Sequence, residues 1–120
     1  MKLYESGEMY LETILILSEK LDRVRSIDIC DEMGYSKPSV SRGVGLLKEG
    51  GFIEVAGDGS ITLTDTGREV ADKIYERHNV LSKLFISIGV SEEVATQDAC
   101  KMEHIISDET FAAIKKHMGL

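Results

Sequence analysis

The segment Asp98-Ala99-Cys100-Lys101-Met102-Glu103-His104 sets a thiolate, a carboxylate and an imidazole at positions i, i+3 and i+4. On a helix those three side chains share one face and can converge on a single divalent cation. A short acidic helix with one buried Cys and a solvated Glu-His pair would show the same letters. The segment therefore points to a metal sensor only in company with the rest of the chain.

The elements that must position these residues are bounded by size and charge. With 120 residues, 42% hydrophobic and 29% charged, the chain can bury roughly two thirds of its unfolded surface and has no room for a second large domain. No window approaches the run of about 20 apolar residues that spans a bilayer. The start, Met1-Lys2-Leu3-Tyr4-Glu5, lacks a basic region followed by an apolar one, so a soluble, cytoplasmic protein is expected. Cys30 and Cys100 have no paired framework around them, which fits a reducing compartment and leaves Cys100 available as a ligand. Cys30 has the spacing to Ile27 and Met33 of a helix's inner face, so core packing is expected there.

The formal charge is −7, which disfavours indiscriminate phosphate binding. Its distribution is uneven: Lys37, Arg42 and Lys48 lie in a stretch from Ser36 to Lys48 without acids, while Glu5, Glu8, Glu12 and Glu19 crowd the start and six acids follow Ser91. A basic island in an acidic chain suggests a local nucleic-acid contact, strengthened when cations neutralise some of the acid.

Tyr10, Ile14, Leu17 and Leu21 recur at helical spacing, predicting a first helix from a Ser6 cap to about Lys20. Ser26 is the expected cap of a short second helix ending at Gly34. Ser36, with Pro38 in the first turn, opens a third whose Val40, Val44 and Leu47 point inward, leaving Ser36, Lys37, Ser39, Arg42 and Gly43 outward. Phe52-Ile53-Glu54-Val55 and Ser60-Ile61-Thr62-Leu63-Thr64 alternate around Gly57-Asp58-Gly59, predicting a hairpin. Helices, turn, helix and hairpin make a winged helix-turn-helix. From Asp65 a helix of more than twenty residues runs to Gly89, another runs from Ser91 through Ile105 or Ile106, and a last one, capped by Ser107, carries Phe111, Ile114 and Met118. The expected fold is mainly α: a DNA-binding winged helix-turn-helix over residues 1–65 with a two-stranded wing, then a helical dimerisation and metal-binding domain over residues 66–120. The apolar positions exceed what one winged helix covers, so a two-fold homodimer is expected.

At this point the chain resembles the DtxR/MntR group of metal-dependent repressors over nearly its whole length. The carriers are Glu8-Met9-Tyr10-Leu11-Glu12, Ser36-Lys37-Pro38-Ser39-Val40-Ser41, Leu63-Thr64-Asp65-Thr66-Gly67, Arg77-His78 and the run from Asp98 to Glu109. In iron-type members the effector site takes a Met from helix 1 with a Cys, a Glu and a His from the dimerisation half, which the resemblance carries onto Met9, Cys100, Glu103 and His104. Manganese-type members use acids where Met9 and Cys100 stand, a second helix-1 acid matched by Glu12, and a His matched by His78. The chain mixes the two patterns. The iron-type ancillary site keeps its first His as His78 but has Ser82 and Thr96 where a Glu and a His are expected, whereas a second ion on Glu12, His78 and Glu103 is the manganese-type arrangement. Soft sulfur donors favour Fe(II), Co(II), Ni(II) or Zn(II) over Mn(II), so Fe(II) is expected first and Mn(II) second.

A cation held between helix 1 and the helix of Cys100 would fix the angle between the DNA-reading and dimer halves. In a two-fold dimer that angle sets recognition-helix separation, which must match about 34 Å to enter successive major grooves of a palindromic operator. On the DNA, Ser36 and Ser39 with the helix N-terminal amides are expected at phosphate or nearby base edges, Pro38 at a thymine methyl, Arg42 at guanine, and Lys37 and Lys48 at phosphates. The wing carries no Lys or Arg between Phe52 and Leu63 and is expected to be a weak phosphate clamp.

Two other classes compete. A zinc hydrolase with Glu103 as general base would use Cys100, Glu103 and His104, yet the chain lacks the paired His spacing of zinc proteases. A winged-helix regulator without metal, constitutive or switched by Cys100 oxidation, would need an exposed thiolate that Glu103 disfavours unless a cation is present.

Overall fold

The computed structural model describes residue 3 and residues 5–120. Met1, Lys2 and Tyr4, on which part of the leader reading rests, lie outside them. The described residues form α1 (Glu5–Lys20), α2 (Ser26–Met33), α3 (Lys37–Glu49), β1 (Ile53–Val55), β2 (Ile61–Leu63), α4 (Asp65–Ser87), α5 (Glu92–Met102) and α6 (Asp108–His117). They cluster into two compact units, Met1–Asp72 and Lys73–Leu120.

In the first unit α1 packs against α2, α3 and β2. Leu11, Ile14 and Leu15 of α1 meet a core that includes Ile29, Val40 and Leu47, all at most 2% exposed. The 3.6-residue period of α1 holds, but Leu21 falls beyond the helix and is exposed, and Ser6 lies inside the first turn rather than capping it. The second helix is likewise not capped by Ser26: the Asp28 carboxylate accepts from the Arg25 amide at 2.9 Å, one residue earlier. Gly34, at φ 70°, ends that helix in the left-handed region that side chains resist. For α3 the expected cap is found, with Ser36 Oγ accepting from the Ser39 amide at 3.3 Å.

β1 and β2 pair antiparallel with Ile53 opposite Leu63 and Val55 opposite Ile61. These strands are shorter than the alternating stretches in the sequence. The Ile61 amide donates to the Val24 carbonyl at 2.7 Å, tying the wing to the α1–α2 connection. Thr64 then explains the Leu63–Gly67 motif. Its hydroxyl donates to the Gly51 carbonyl at 2.7 Å and accepts from the Gly67 amide at 3.1 Å, so it caps α4 against the end of the recognition helix. Gly67 sits so close to the Phe52 carbonyl that a β-carbon there would be 1.9 Å from its oxygen.

In the second unit, α5 is shorter than the expected helix to Ile105 or Ile106. Regular helix ends at Met102, and the chain makes one more turn in which the Ile105 and Ile106 amides both donate to the Met102 carbonyl. The carbonyls of Glu103 and Ile106, which follow the helix end, accept from Arg77. Ser107 caps α6, accepting from the Thr110 amide at 3.2 Å. Among the described residues no helix is long and apolar enough to cross a membrane.

Candidate metal centre and nucleic-acid interface

Glu103 is the focus of the second unit. Its N–H still bonds the Ala99 carbonyl at 2.9 Å, so it closes α5 as the C-cap residue one helical turn beyond Cys100, and His104 follows in the turn. The three expected ligands thus lie on a helix end and the adjoining turn, not on one continuous helix face. The side chain of Glu103 is 0% exposed, with Oε2 2.9 Å from His78 Nδ1 and Oε1 3.3 Å from His104 Nε2. Cys100 is on the exposed side of α5. The bland alternative of a buried Cys with a solvated Glu-His pair is therefore inverted here.

Burying a carboxylate is costly unless positive charge and hydrogen bonds offset it. The two imidazoles about the buried carboxylate are nitrogen and oxygen donors of the kind a first-row divalent cation takes, and the Cys100 thiol lies one turn back. His78 is half-buried and is not the solvated residue that its neighbourhood of polar letters allowed. Of the ancillary positions, Ser82 is half-buried and Thr96 exposed, and neither type supplies a strong metal donor. On α1, in the first unit, Met9 is half-buried and Glu12 is 9% exposed, so Glu12 is not a surface acid. Spaced i and i+3, these two lie on one face of α1.

Sequence reasoning missed Arg77. Although its neighbours are polar, it is 5% exposed. It donates to the carbonyls of Glu103 at 3.3 Å and Ile106 at 2.6 Å and to the Asp108 carboxylate, and its guanidinium lies 5.3 Å from the centre of the Phe111 ring. Lys73 also pairs with Asp108, at 3.0 Å. Lys73 chiefly, then Arg77, holds the Asp108 carboxyl below the usual range. The only signal in the letters was the Arg77-His78 pair itself.

The helix-turn-helix presents Lys37, Pro38, Arg42 and Lys48 exposed on α3, with Ser39 half-buried. Ser36 and Ser39 are partly committed, since the Ser36 hydroxyl donates to the Ser39 hydroxyl at 3.0 Å while it caps the helix. Gly43 does not face outward. It lies under the Tyr10 ring. The wing is not devoid of cations either, because Arg23, from the α1–α2 connection, pairs with Asp58 of the hairpin turn at 3.0 Å.

Comparison with known proteins matches residues 2–61 to the iron-dependent repressor N-terminal DNA-binding domain and residues 64–120 to the iron-dependent repressor metal-binding and dimerisation domain. Together these make the chain a member of the DtxR/MntR family of metal-dependent, DNA-binding transcriptional repressors, which sets the hydrolase alternative aside. It is 33% identical over 106 residues to the transcriptional regulator MntR of Escherichia coli, covering 88% of this chain and 68% of that protein. Against the iron-dependent repressor IdeR of Mycobacterium tuberculosis it is 32% identical over 109 residues, covering 90% of this chain and 47% of that one. A solved manganese-dependent transcriptional repressor in complex with manganese superposes with a TM-score of 0.87 at 28% identity, covering 94% of this chain and 52% of that chain. The chain thus spans about half the length of IdeR and of that structure. The superposed structure is a manganese-dependent repressor and IdeR is named as iron-dependent, so a divalent metal is the common ground.

Proposed function

We propose that this chain is a cytoplasmic repressor whose operator binding is switched by Fe(II), with Mn(II) as second choice. The carrying observation is Glu103, a fully buried carboxylate within 2.9 Å of His78 and 3.3 Å of His104. Cys100, Glu103 and His104 form the core of the ligand set, with Met9 and Glu12 contributed by α1 and His78 completing a second, manganese-type position. The sulfur donors Met9 and Cys100 support iron over manganese. A divalent cation there would supply the positive charge that offsets burying the Glu103 carboxylate.

The working division falls near residue 65, with a reader before it and a pairing domain after it. Exposed Ile86, Ile88 and Val94 in the second unit support pairing of two copies. In the dimer the two α3 helices read an inverted repeat: Lys37 and Lys48 on phosphate, Ser36 and Ser39 with the amides of the first turn of α3, Pro38 on a thymine methyl, and Arg42 on guanine. Favouring the competent arrangement by about 3 kcal/mol shifts its population by two orders of magnitude.

Band shifts on an operator library, run with Fe(II), with Mn(II), with chelator and with peroxide, test this reading. Binding that requires metal and is lost to chelator supports it. Binding that ignores chelator and responds to peroxide would instead make Cys100 a redox switch.

A further inference from the structure

Adjacent residues of α4 grip the same ligand from two sides: Arg77 holds the main chain of Glu103 and His78 its carboxylate. The turn from Glu103 to Ser107 lies between α5 and α6. Its main-chain bonds run back to Ala99 and Met102 of α5, while the carbonyls of Glu103 and Ile106 turn to Arg77. It carries Glu103 and His104, whose donor atoms would have to stay in place for a cation to be bound without reordering the site.

We propose that Arg77 is a positioning residue of the metal centre, holding the Glu103–Ile106 turn so that Glu103 and His104 are set before any cation arrives. The geometry is specific to a guanidinium. One buried planar group spans two carbonyls, at 3.3 and 2.6 Å, and the Asp108 carboxylate at the start of α6, while its face lies 5.3 Å from the centre of the Phe111 ring. An ammonium has neither the fork nor the flat face, so lysine cannot satisfy all of these partners at once. Fixing the turn removes the entropy that ordering two ligands would otherwise cost on binding.

The inference rests on the reading of Cys100, Glu103 and His104 as ligands, and the test separates the two. Full-length wild type, Arg77→Lys and Asp108→Asn are titrated anaerobically with Co(II), following the visible and sulfur-to-cobalt absorption bands. Amide exchange at residues 104–106 is measured in the metal-free proteins. Arg77→Lys should lose about tenfold or more in Co(II) affinity, the range seen when groups that orient ligands are removed, and should exchange faster at residues 104–106 than at the interior of α4. Asp108→Asn leaves Arg77 on both carbonyls and should stay within about threefold of wild type.

Equal Co(II) affinity in wild type and Arg77→Lys overturns the positioning role. So does an equal loss in Asp108→Asn, which would reduce Arg77 to a general stabiliser. Wild type that binds Co(II) without sulfur-to-cobalt bands would instead sink the assignment of Cys100, a distinguishable result.

Discussion

The ring of Tyr10 in α1 lies directly over Gly43 in the recognition helix, so closely that a β-carbon at Gly43 would be 2.6 Å from Cε2. The Tyr10 hydroxyl donates to the Ser39 carbonyl at 3.3 Å, and its ring meets Tyr35 edge to face with centroids 6.1 Å apart. Burial raises the Tyr10 phenol above its ordinary pKa, so it remains a donor at neutral pH. Met9, the proposed α1 ligand, is the neighbouring residue. Any displacement of α1 is therefore handed to α3 through contact, not through a flexible joint.

Three glycines should respond to alanine in a defined order. Gly67→Ala meets the backbone oxygen of Phe52, which cannot swing aside, and should cost about 3 kcal/mol or more. Gly43→Ala meets a ring that can tilt and should cost about 1–2 kcal/mol. Gly45→Ala, in the same helix with nothing within 4 Å, should stabilise by about 0.5–1 kcal/mol through helix propensity. Urea unfolding of the three variants checks the order, and a neutral Gly67→Ala would contradict the packing described.

Cys100→Ala and His104→Ala should each remove metal-stimulated operator binding while the dimer persists. Affinity for the activating cation is expected to fall about 10–100-fold or more. Sedimentation in parallel with band shifts separates the two effects. A wild-type metal response in both variants refutes the ligand set.

Arg42→Ala should flatten base preference on an operator library more than it weakens binding to random DNA, with about 1–3 kcal/mol of discrimination lost at one position per half-site. Uniform losses on all sequences would make Arg42 a phosphate contact.

Asp58 gives a test of the wing. Ser60, whose amide donates to the carboxylate at 2.9 Å, and then the Arg23 pair lower its pKa from 3.8 to about 2. A carboxylate with a depressed folded pKa contributes stability above its unfolded value and loses it as pH falls through the folded one. Wild type should therefore exceed Asp58→Asn in thermal midpoint at neutral pH, with the difference shrinking between 3.8 and about 2. A difference independent of pH would mean that the ionised Asp58, through Ser60 and Arg23 together, adds nothing to the hairpin.

Much was legible in the letters because it is local. The period of α1, the Ser36, Ser91 and Ser107 caps, the left-handed Gly34 and the alternation about Gly57-Asp58-Gly59 each depend on residues within one or two turns, and each stands where it was read. The donor types around Cys100 were equally plain. Less legible were the features tied to distant partners. The sequence pattern carries α5 on to Ile105 or Ile106, but the helix stops at Met102, and the turn after it is held by Arg77 from a distant helix.

The chain's letters alone settled the order of elements, the basic face of the recognition helix and the donor types near Cys100, since periodicity, caps and composition are properties of neighbouring residues. Tertiary structure alone decided that Glu103 is wholly buried between two imidazoles, that Arg77 is interior, that Gly43 lies beneath Tyr10 and that Arg23 supplies the wing's cation. Most of these pairings join residues 25 or more positions apart, as His78 and Glu103 are. Distances of that kind are set by how helices pack, which no local pattern encodes.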